Sequence, residues 1–495
     1  MLCEARLLTG PRFFARGGKD WPASPGFFHR MKAAFFSLAC LCLAAGAAAG
    51  QPDILFVVTD DQRPDTLAAL HGAHLRTPNL DRLAARGTVF TRAYAGYPIC
   101  HVSRAEILTG CTAFRAYPNY PVGPVDPALK TLAATFREAG YLAWYSGKWH
   151  NDGTPLQRGY SGIRGLYSSG GGGKKPAAPQ TDERGNPLTG YTGWTFKNDE
   201  GRPEPEKGAG LRPDNSRHIA DGAIRALRET PAGQPFLLHV NFAFPHDPRM
   251  WPPDPAHHHE LHRTPLPANF APEHPFDHGN QGGRDEVLLP VPRTEGAVRL
   301  ELAVYHSMIT DLDAQLGRIL AALEDTGRAS NTIIVFTSDQ GLALGSHGLL
   351  GKQNQYEHSI RSPLIIAGPG LPAGRQSRAL VMLRDLFPTF CDLASVPVPD
   401  TVQGRSLAPL LRGQVARVHE QVFGVFTDTQ RMICDERWKL ILYPQAGRGQ
   451  LFDLENDPHE LRDLSANAMH SARMASLLGQ LNAWRMSAGD PLAPH

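Results

Sequence analysis

The sequence predicts an α/β fold: a large, mixed but mainly parallel sheet flanked by helices, followed by a smaller C-terminal α+β domain. Three observations carry this reading. Short runs of apolar, β-branched residues recur along the chain, helical periodicity lies between them, and acidic residues stand directly after two of the runs. Residues 53–59 (DILFVVT) form the first run. Apolarity without alternation is the pattern of a strand buried on both faces, as in a parallel sheet. Comparable runs recur at residues 236–240 (FLLHV), 332–337 (TIIVFT) and 363–367 (PLIIA). Among the helical patterns, residues 129–139 (LKTLAATFREA) close on Gly140, a residue suited to the left-handed turn after a helix. Residues 299–323 place Leu302, Met308, Ile309, Leu312, Leu316, Ile319, Leu320 and Leu323 at helical spacing. Ligands of such sheets bind beyond the carboxyl ends of the strands. Asp60-Asp61 and Asp339-Gln340 stand there, so the fold brings distant segments to one pocket.

Two connections read as long functional loops: residues 151–215, rich in Gly, Pro and charge, and residues 246–292, rich in Pro and His. Composition changes near Arg412. Beyond it residues 422–426, 437–443 and 451–454 read as short strands and residues 471–486 as a terminal helix. The expected division is an N-terminal extension over residues 1–50, a catalytic domain over 51–411 and the smaller domain over 412–495.

With 50 Lys+Arg against 48 Asp+Glu, the chain lacks the basic excess that marks a nucleic-acid partner. Met31-Lys32, the apolar residues 33–43 and Ala47-Ala48-Ala49 have the order of a secretory signal peptide, with Met31 as the expected start. The apolar run is too short for a membrane span. The expectation is an exported protein, periplasmic or secreted. Four cysteines follow that segment, Cys100, Cys111, Cys391 and Cys434, and their spacing matches no zinc motif and no disulfide scaffold.

Residues 100–110 read CHVSRAEILTG. This segment resembles the sulfatase family motif C-x-P-S-R followed by x-x-x-L-T-G. The resemblance continues in family order through Asp60-Asp61, Gly147-Lys148-Trp149-His150, Pro245-His246, Ser338-Asp339-Gln340-Gly341, Gly351-Lys352 and Tyr356-Glu357. It ends at residues 451–454 (LFDL) with Asp457-Pro458-His459-Glu460. It implies an alkaline-phosphatase-like fold and a sulfuric ester hydrolase in which Cys100 is oxidised to formylglycine by a maturation enzyme. The same resemblance implies one calcium ion held by Asp60, Asp61, Asp339, Gln340 and the modified Cys100. Arg104 would orient the modified residue, Lys148 and Lys352 would bind sulfate oxygens, and His150 would serve as the base at position 100. His246, with Lys352, would protonate the leaving oxygen.

These residue types suit that chemistry. A sulfate monoester is an anion whose sulfur is shielded by oxygens, so fixed cations must neutralise it before a nucleophile approaches. An oxygen-rich ligand set suits calcium. A hydrated formylglycine is a gem-diol: one hydroxyl attacks sulfur and the other expels sulfate and restores the aldehyde, a release step that plain Ser or Cys lacks. A helix beginning at this segment would aim its N-terminus at the anion.

The chain departs from the family at Val102, where Pro is usual, and at Gln340, where Asn or His is usual. Val favours the extended chain that a maturation enzyme reads, and a Gln carbonyl still ligates calcium, displaced by one methylene. The expected substrate is a sulfated carbohydrate, because long loops make an extended cleft. The alternatives are a phosphate or phosphonate monoester hydrolase on the same fold, or an unmatured protein that binds sulfated glycans. Other features are read as structural. The run at residues 170–175 (GGGGKK) lacks the Ser or Thr of a phosphate loop. His257, His258, His259 and His262 have no supporting carboxylate set. Asp311 and Asp313 suit a cap or an ion pair.

Overall fold

The computed structural model describes residues 51–70, 75–120, 123–169 and 190–493. The signal-like segment and the glycine–lysine run lie outside them. The main sheet has ten strands: β1 (Asp53–Thr59), β2 (Gly87–Tyr94), β3 (Leu142–Trp149), β4 (Gly162–Ser168), β5 (Thr195–Lys197), β6 (Phe236–Asn241), β7 (Thr332–Ser338), β8 (Arg361–Ala367), β9 (Arg375–Ser377) and β10 (Val381–Met382). Their order is β10-β2-β8-β7-β1-β6-β3-β4-β5, with β9 also on β2. Strands β7, β1, β6, β3 and β4 run parallel. The run at residues 363–367, which resembles the parallel strands in composition, forms β8, antiparallel to both β7 and β2. The link from β7 holds only the four-residue helix Glu357–Ile360. It makes no helical crossover of the kind that returns a chain parallel.

Seven helices of seven residues or more stand among the described residues: α1 (Pro78–Ala85), α2 (Cys100–Thr109), α3 (Leu132–Glu138), α4 (Asn215–Glu229), α5 (Glu295–Asp325), α6 (Leu386–Leu393) and α7 (Ser471–Ala488). They explain why β1 is apolar at every position from Ile54 to Val58. Leu55 and Val57 face a core built with Ile219, Ala223 and Leu227 of α4 and Met308, Leu312 and Leu316 of α5. Ile54, Phe56 and Val58 face the opposite core, with Leu132 and Phe136 of α3 and Phe387 and Phe390 of α6. A strand covered on both faces has no solvent side on which polar residues would alternate.

Residues 151–215, read as a loop, hold β4 and β5 at one edge of the sheet. Two glycines in GIRGLYS dilute the apolar signal of β4. Residues 246–292 do lack long elements and carry only 3-10 turns.

A second, antiparallel sheet follows: β11 (Val422–Phe426), β12 (Gln430–Cys434), β13 (Trp438–Tyr443) and β14 (Arg448–Asp453). One face packs under α7 through Leu477 and Leu481. The other meets Tyr94, Tyr356 and Ile360 of the main body, and residues 51–495 form one compact unit. Strand β12 escaped the sequence reading because its first residues are polar. Arg431 is nonetheless fully buried, its Nε 2.7 Å from Asp490. Lys439 of β13, also fully buried, sits 3.0 Å from Glu357 and 2.9 Å from Glu460. Tyr356-Glu357 and Glu460 of the motif segments therefore hold the small sheet to the main body.

Asp313 caps α1 through Asn79 N and Leu80 N, and Asp311 accepts from His257 at 3.1 Å. Both serve structure, as expected from sequence. His259 and His258 bond Thr310 and Pro252, and His262 is largely exposed. The four described cysteines are free thiols. No helix among the described residues is long and apolar enough to cross a membrane.

Candidate active site

Register aligns the strand ends. Thr59 pairs with Ser338, and Val58 and Gly147 both pair with Asn241, so β7, β1, β6 and β3 deliver their next residues to one edge. Asp339, Asp60 and His150 are the residues that follow β7, β1 and β3, and Lys148 lies two residues before His150. Strand β3 bulges between Tyr145 and Gly147. A Cβ at Gly147 would come within 2.0 Å of Asn241 O, and its φ of +96° suits glycine. This glycine lets Lys148 turn into the site.

Cys100 begins α2, closing the site from the β2 side. The motif around it anchors the helix. Ser103 Oγ donates to Asp339 O at 2.6 Å, Gly110 ends the helix at φ +68°, and Arg104 reaches across the strand ends. Arg104 Nε donates to Asp339 Oδ2 at 2.9 Å and Nη1 to Asn241 Oδ1 at 2.6 Å, with Nη2 3.6 Å from Asp60. Val102 packs in the first turn with Tyr97, Ala105 and Val425.

The two aspartates after β1 receive an ammonium each. Lys148 Nζ lies 2.6 Å from Asp60 Oδ2 and Lys352 Nζ 2.7 Å from Asp61 Oδ2, all four groups buried. Burial would raise the Asp60 carboxyl, but the charges of Lys148 and Arg104 hold it well below the usual range. Burial, offset in part by Lys352, and the charges of Asp60, Asp339 and Asp285 push Asp61 up to about 7. Neighbouring carboxylates titrate apart in this way because their charges repel. Burial opposes the charge on Lys352, yet Asp61 and Asp285 hold it well above the ordinary lysine range.

Both histidines are neutral. Burial, reinforced by Lys148 and His101, pushes His150 well below its ordinary value. Its Nδ1 is buried without a hydrogen-bond partner, and its ring stands edge-on to Trp194 and His101. Burial and then Lys352 depress His246 likewise. Its Nδ1 lies 2.6 Å from Asp247 O, which only accepts, so the proton is on Nδ1 and the Nε2 lone pair faces Asp61 at 3.7 Å. Burial and Asp60 push the Cys100 thiol up, away from thiolate chemistry.

The residues fit a hard divalent cation. Ligand atoms of Asp60, Asp61, Cys100 and His246 lie within 4.8 Å of one another. Asp60 Oδ1 and Gln340 Oε1 are buried and accept no hydrogen bond. Gln340 Nε2 lies 2.6 Å from Asp61 Oδ1 and 3.3 Å from Cys100 Sγ. With the amide turned over, its oxygen takes that place, an orientation equivalent in shape. Asp339 differs from its expected partners. Its Oδ1 accepts from Asp61 N at 3.1 Å and Gln340 N at 3.0 Å, and its Oδ2 holds Arg104.

All ten residues expected from the sequence therefore meet at one edge. Several of their neighbours went unread. Tyr191 donates to Asp60 Oδ2, stands edge-on to His246 at 4.6 Å between ring centroids and lies under Lys148. Tyr305 donates to Asp61 O at 2.6 Å. Asn241, Arg284 and Asp285 complete the surround. Asn241, a polar end to a buried strand, carried a usable signal; the tyrosines carry none.

Comparison with known proteins bears on this arrangement. The sulfatase family model matches residues 52–396, and the model of the N-sulphoglucosamine sulphohydrolase C-terminal region matches residues 345–487. The chain is 29% identical over 460 residues to an arylsulfatase of Clostridium perfringens, covering 86% of this chain and 92% of that one. It is 27% identical over 501 residues to an N-acetylglucosamine-6-O-sulfatase of Bacteroides thetaiotaomicron, covering 86% and 85%. Among solved structures it resembles a phosphonate monoester hydrolase of Silicibacter pomeroyi, with TM-score 0.71 at 25% identity over 88% and 96% of the two chains.

Proposed function

The chain belongs to the sulfatase family and is a hydrolase of that family, and from that premise we propose that it cleaves sulfate monoesters of carbohydrates at Cys100, matured to formylglycine, with one calcium ion. The observation that carries this reading is the convergence of Lys148, Lys352 and His246 on the Asp60–Asp61 pair beside Cys100. A thiol at this position is held protonated and has no second hydroxyl with which to release a bound sulfate. Conversion by a formylglycine-generating enzyme supplies that missing group. Asp60, Asp61, Asp339, Gln340 and position 100 would hold the calcium ion, which would supply positive charge beside the sulfate oxygens.

The chain's own residues do the rest. Lys148 and Lys352 neutralise the sulfate oxygens as point charges. His150, neutral and with an unpartnered Nδ1, takes the proton from the nucleophilic hydroxyl. The leaving alcohol oxygen faces His246 and Lys352, and Lys352 is the group that carries a proton there, since His246 Nε2 holds a lone pair. Arg104 keeps Asp339, Asn241 and Asp60 in one array.

A carbohydrate substrate is supported by the N-acetylglucosamine-6-O-sulfatase relative. The apolar segment at residues 33–43 supports export to the periplasm or beyond. Likeness to a phosphonate monoester hydrolase supports a second reading, in which the same site takes phosphate or phosphonate monoesters. The deciding experiment begins with the mass of the peptide spanning Cys100, from protein co-produced with a formylglycine-generating enzyme. We expect an aldehyde in place of the thiol, and faster turnover of 4-nitrophenyl sulfate than of 4-nitrophenyl phosphate. An unmodified thiol would favour a protein that binds sulfated glycans without cleaving them, and the reverse ratio would favour the phosphoryl reading.

A further inference from the structure

Outside His246 stands a cation that the mechanism leaves unused. Arg284 lies in the long segment between β6 and α5. Its Nη1 and Nη2 donate to the two oxygens of Asp247 at 3.1 and 3.0 Å, and Nη2 also pairs with Asp285 Oδ1. The same Nη2 is 3.4 Å from His246 Nε2. Asp285 in turn faces Lys352 at 3.8 Å. Arg284 thus sits over the two groups that flank the leaving oxygen. Its side chain is 35% exposed, against 6% for His246, 2% for Lys352 and 0% for Lys148. It is the outermost of these groups, and with His246 and Lys352 at the leaving oxygen, as proposed above, it stands toward the alcohol half of the substrate.

The clamp by two buried carboxylates fixes the guanidinium plane before any ligand arrives, which removes much of the ordering cost of binding. Its hydrogen bonds to Asp247 and His246 use one hydrogen of Nη1 and both of Nη2, and Asp285 adds an ion pair. The Nε hydrogen and the second Nη1 hydrogen have no acceptor among the described residues. A guanidinium has no acceptor capacity, so a matching ligand group presents oxygens only. We propose that Arg284 recognises a second anionic group, a carboxylate or a further sulfate, on the alcohol half of the substrate, so that the preferred substrate is a polyanionic glycan unit. This rests on the sulfatase reading above.

The test compares three sulfate esters on the matured protein: 4-nitrophenyl sulfate and its analogues carrying a carboxylate or a sulfonate beside the ester. The readout is the ratio of kcat/KM for each charged analogue to that for the plain ester. Both values come from one preparation, so the ratio does not depend on the folded fraction. The wild type is expected to favour at least one charged analogue, and which one identifies the anion. Arg284→Gln is expected to lower that ratio about ten-fold, chiefly through KM, as befits one charge-assisted contact at a partly exposed site. Arg284→Lys should restore part of it. A ratio unchanged by Arg284→Gln, even with both rates lowered, would overturn the proposal and leave Arg284 as a strut for His246 and Lys352. Wild-type discrimination against both charged analogues would overturn it too. If the wild type turns over none of the three esters, the sulfatase reading fails first and this inference falls with it.

Discussion

Asp339→Asn separates two accounts of the site. Sequence resemblance places this carboxylate among the calcium ligands, whereas its contacts place it behind them. One oxygen accepts from Asp61 N and Gln340 N, and the other holds the Arg104 guanidinium at 2.9 Å, all fully buried. The substitution keeps one acceptor oxygen and nearly the same volume, and it removes one negative charge. If that oxygen stays on the backbone donors, the amide nitrogen faces Arg104 and one charge-assisted hydrogen bond is lost, worth about 1.5–3 kcal/mol. If the carboxylate also binds calcium, a loss of the same order appears in the metal affinity, weakening it roughly 10- to 150-fold at 1.4 kcal/mol per ten-fold. The assay is calorimetric titration of calcium into chelator-stripped protein, paired with thermal melts at fixed calcium. A ligand that binds only the folded state raises the midpoint in step with its affinity. We expect both the weaker affinity and a smaller calcium-induced shift. Melting that falls without calcium while the calcium affinity stays within two-fold of wild type would refute the ligand assignment and leave Asp339 as the counter-ion of Arg104.

Lys148→Ala strips Asp60 of its nearest counter-charge. The rate of sulfate transfer is expected to fall by about 10²–10³, the usual cost of removing one charge-stabilising group; a wild-type kcat under saturating substrate would contradict the role. Glu357→Gln tests the clasp on the small sheet. Burial would raise this carboxyl, but Lys439, Arg361 and Arg92 hold it at about 2, below the unfolded value of 4.5. The unfolded chain binds the extra proton between those limits, so the contribution is present above pH 4.5 and is lost as pH falls through 2. Its upper bound is about 3 kcal/mol. The variant should be less stable than wild type in denaturant titrations at pH 7, and the gap should close toward pH 2. Parallel curves across that range would show that the carboxylate contributes nothing as a charge.

Much of the site was legible because its chemistry needs particular residue types at strand ends and in one motif. The runs at 53–59, 236–240 and 332–337 read as buried strands, and the acidic residues after two of them mark the edge at which the ten candidate residues meet. Asp311 and Asp313 suit an ion pair or a cap by sequence and serve in those roles. The direction of β8 was not legible, since composition reports burial and is silent on which way a strand runs. Strand β12 was hidden by Gln430 and Arg431, polar residues whose burial is compensated by the distant Asp490 and His278.

By itself the sequence determined what is local: which segments are buried on both faces, which residue types carry charge, and the spacing of the motif around Cys100. Only the tertiary structure decided which groups share a charge or a hydrogen bond. Tyr191 on Asp60, Tyr305 on the Asp61 carbonyl, Arg284 on Asp247, and Lys439 between Glu357 and Glu460 all join residues that chain order leaves unrelated. Their energies depend on distance and on exclusion from water, and both quantities exist only once the strands have aligned their ends and the helices have closed over them.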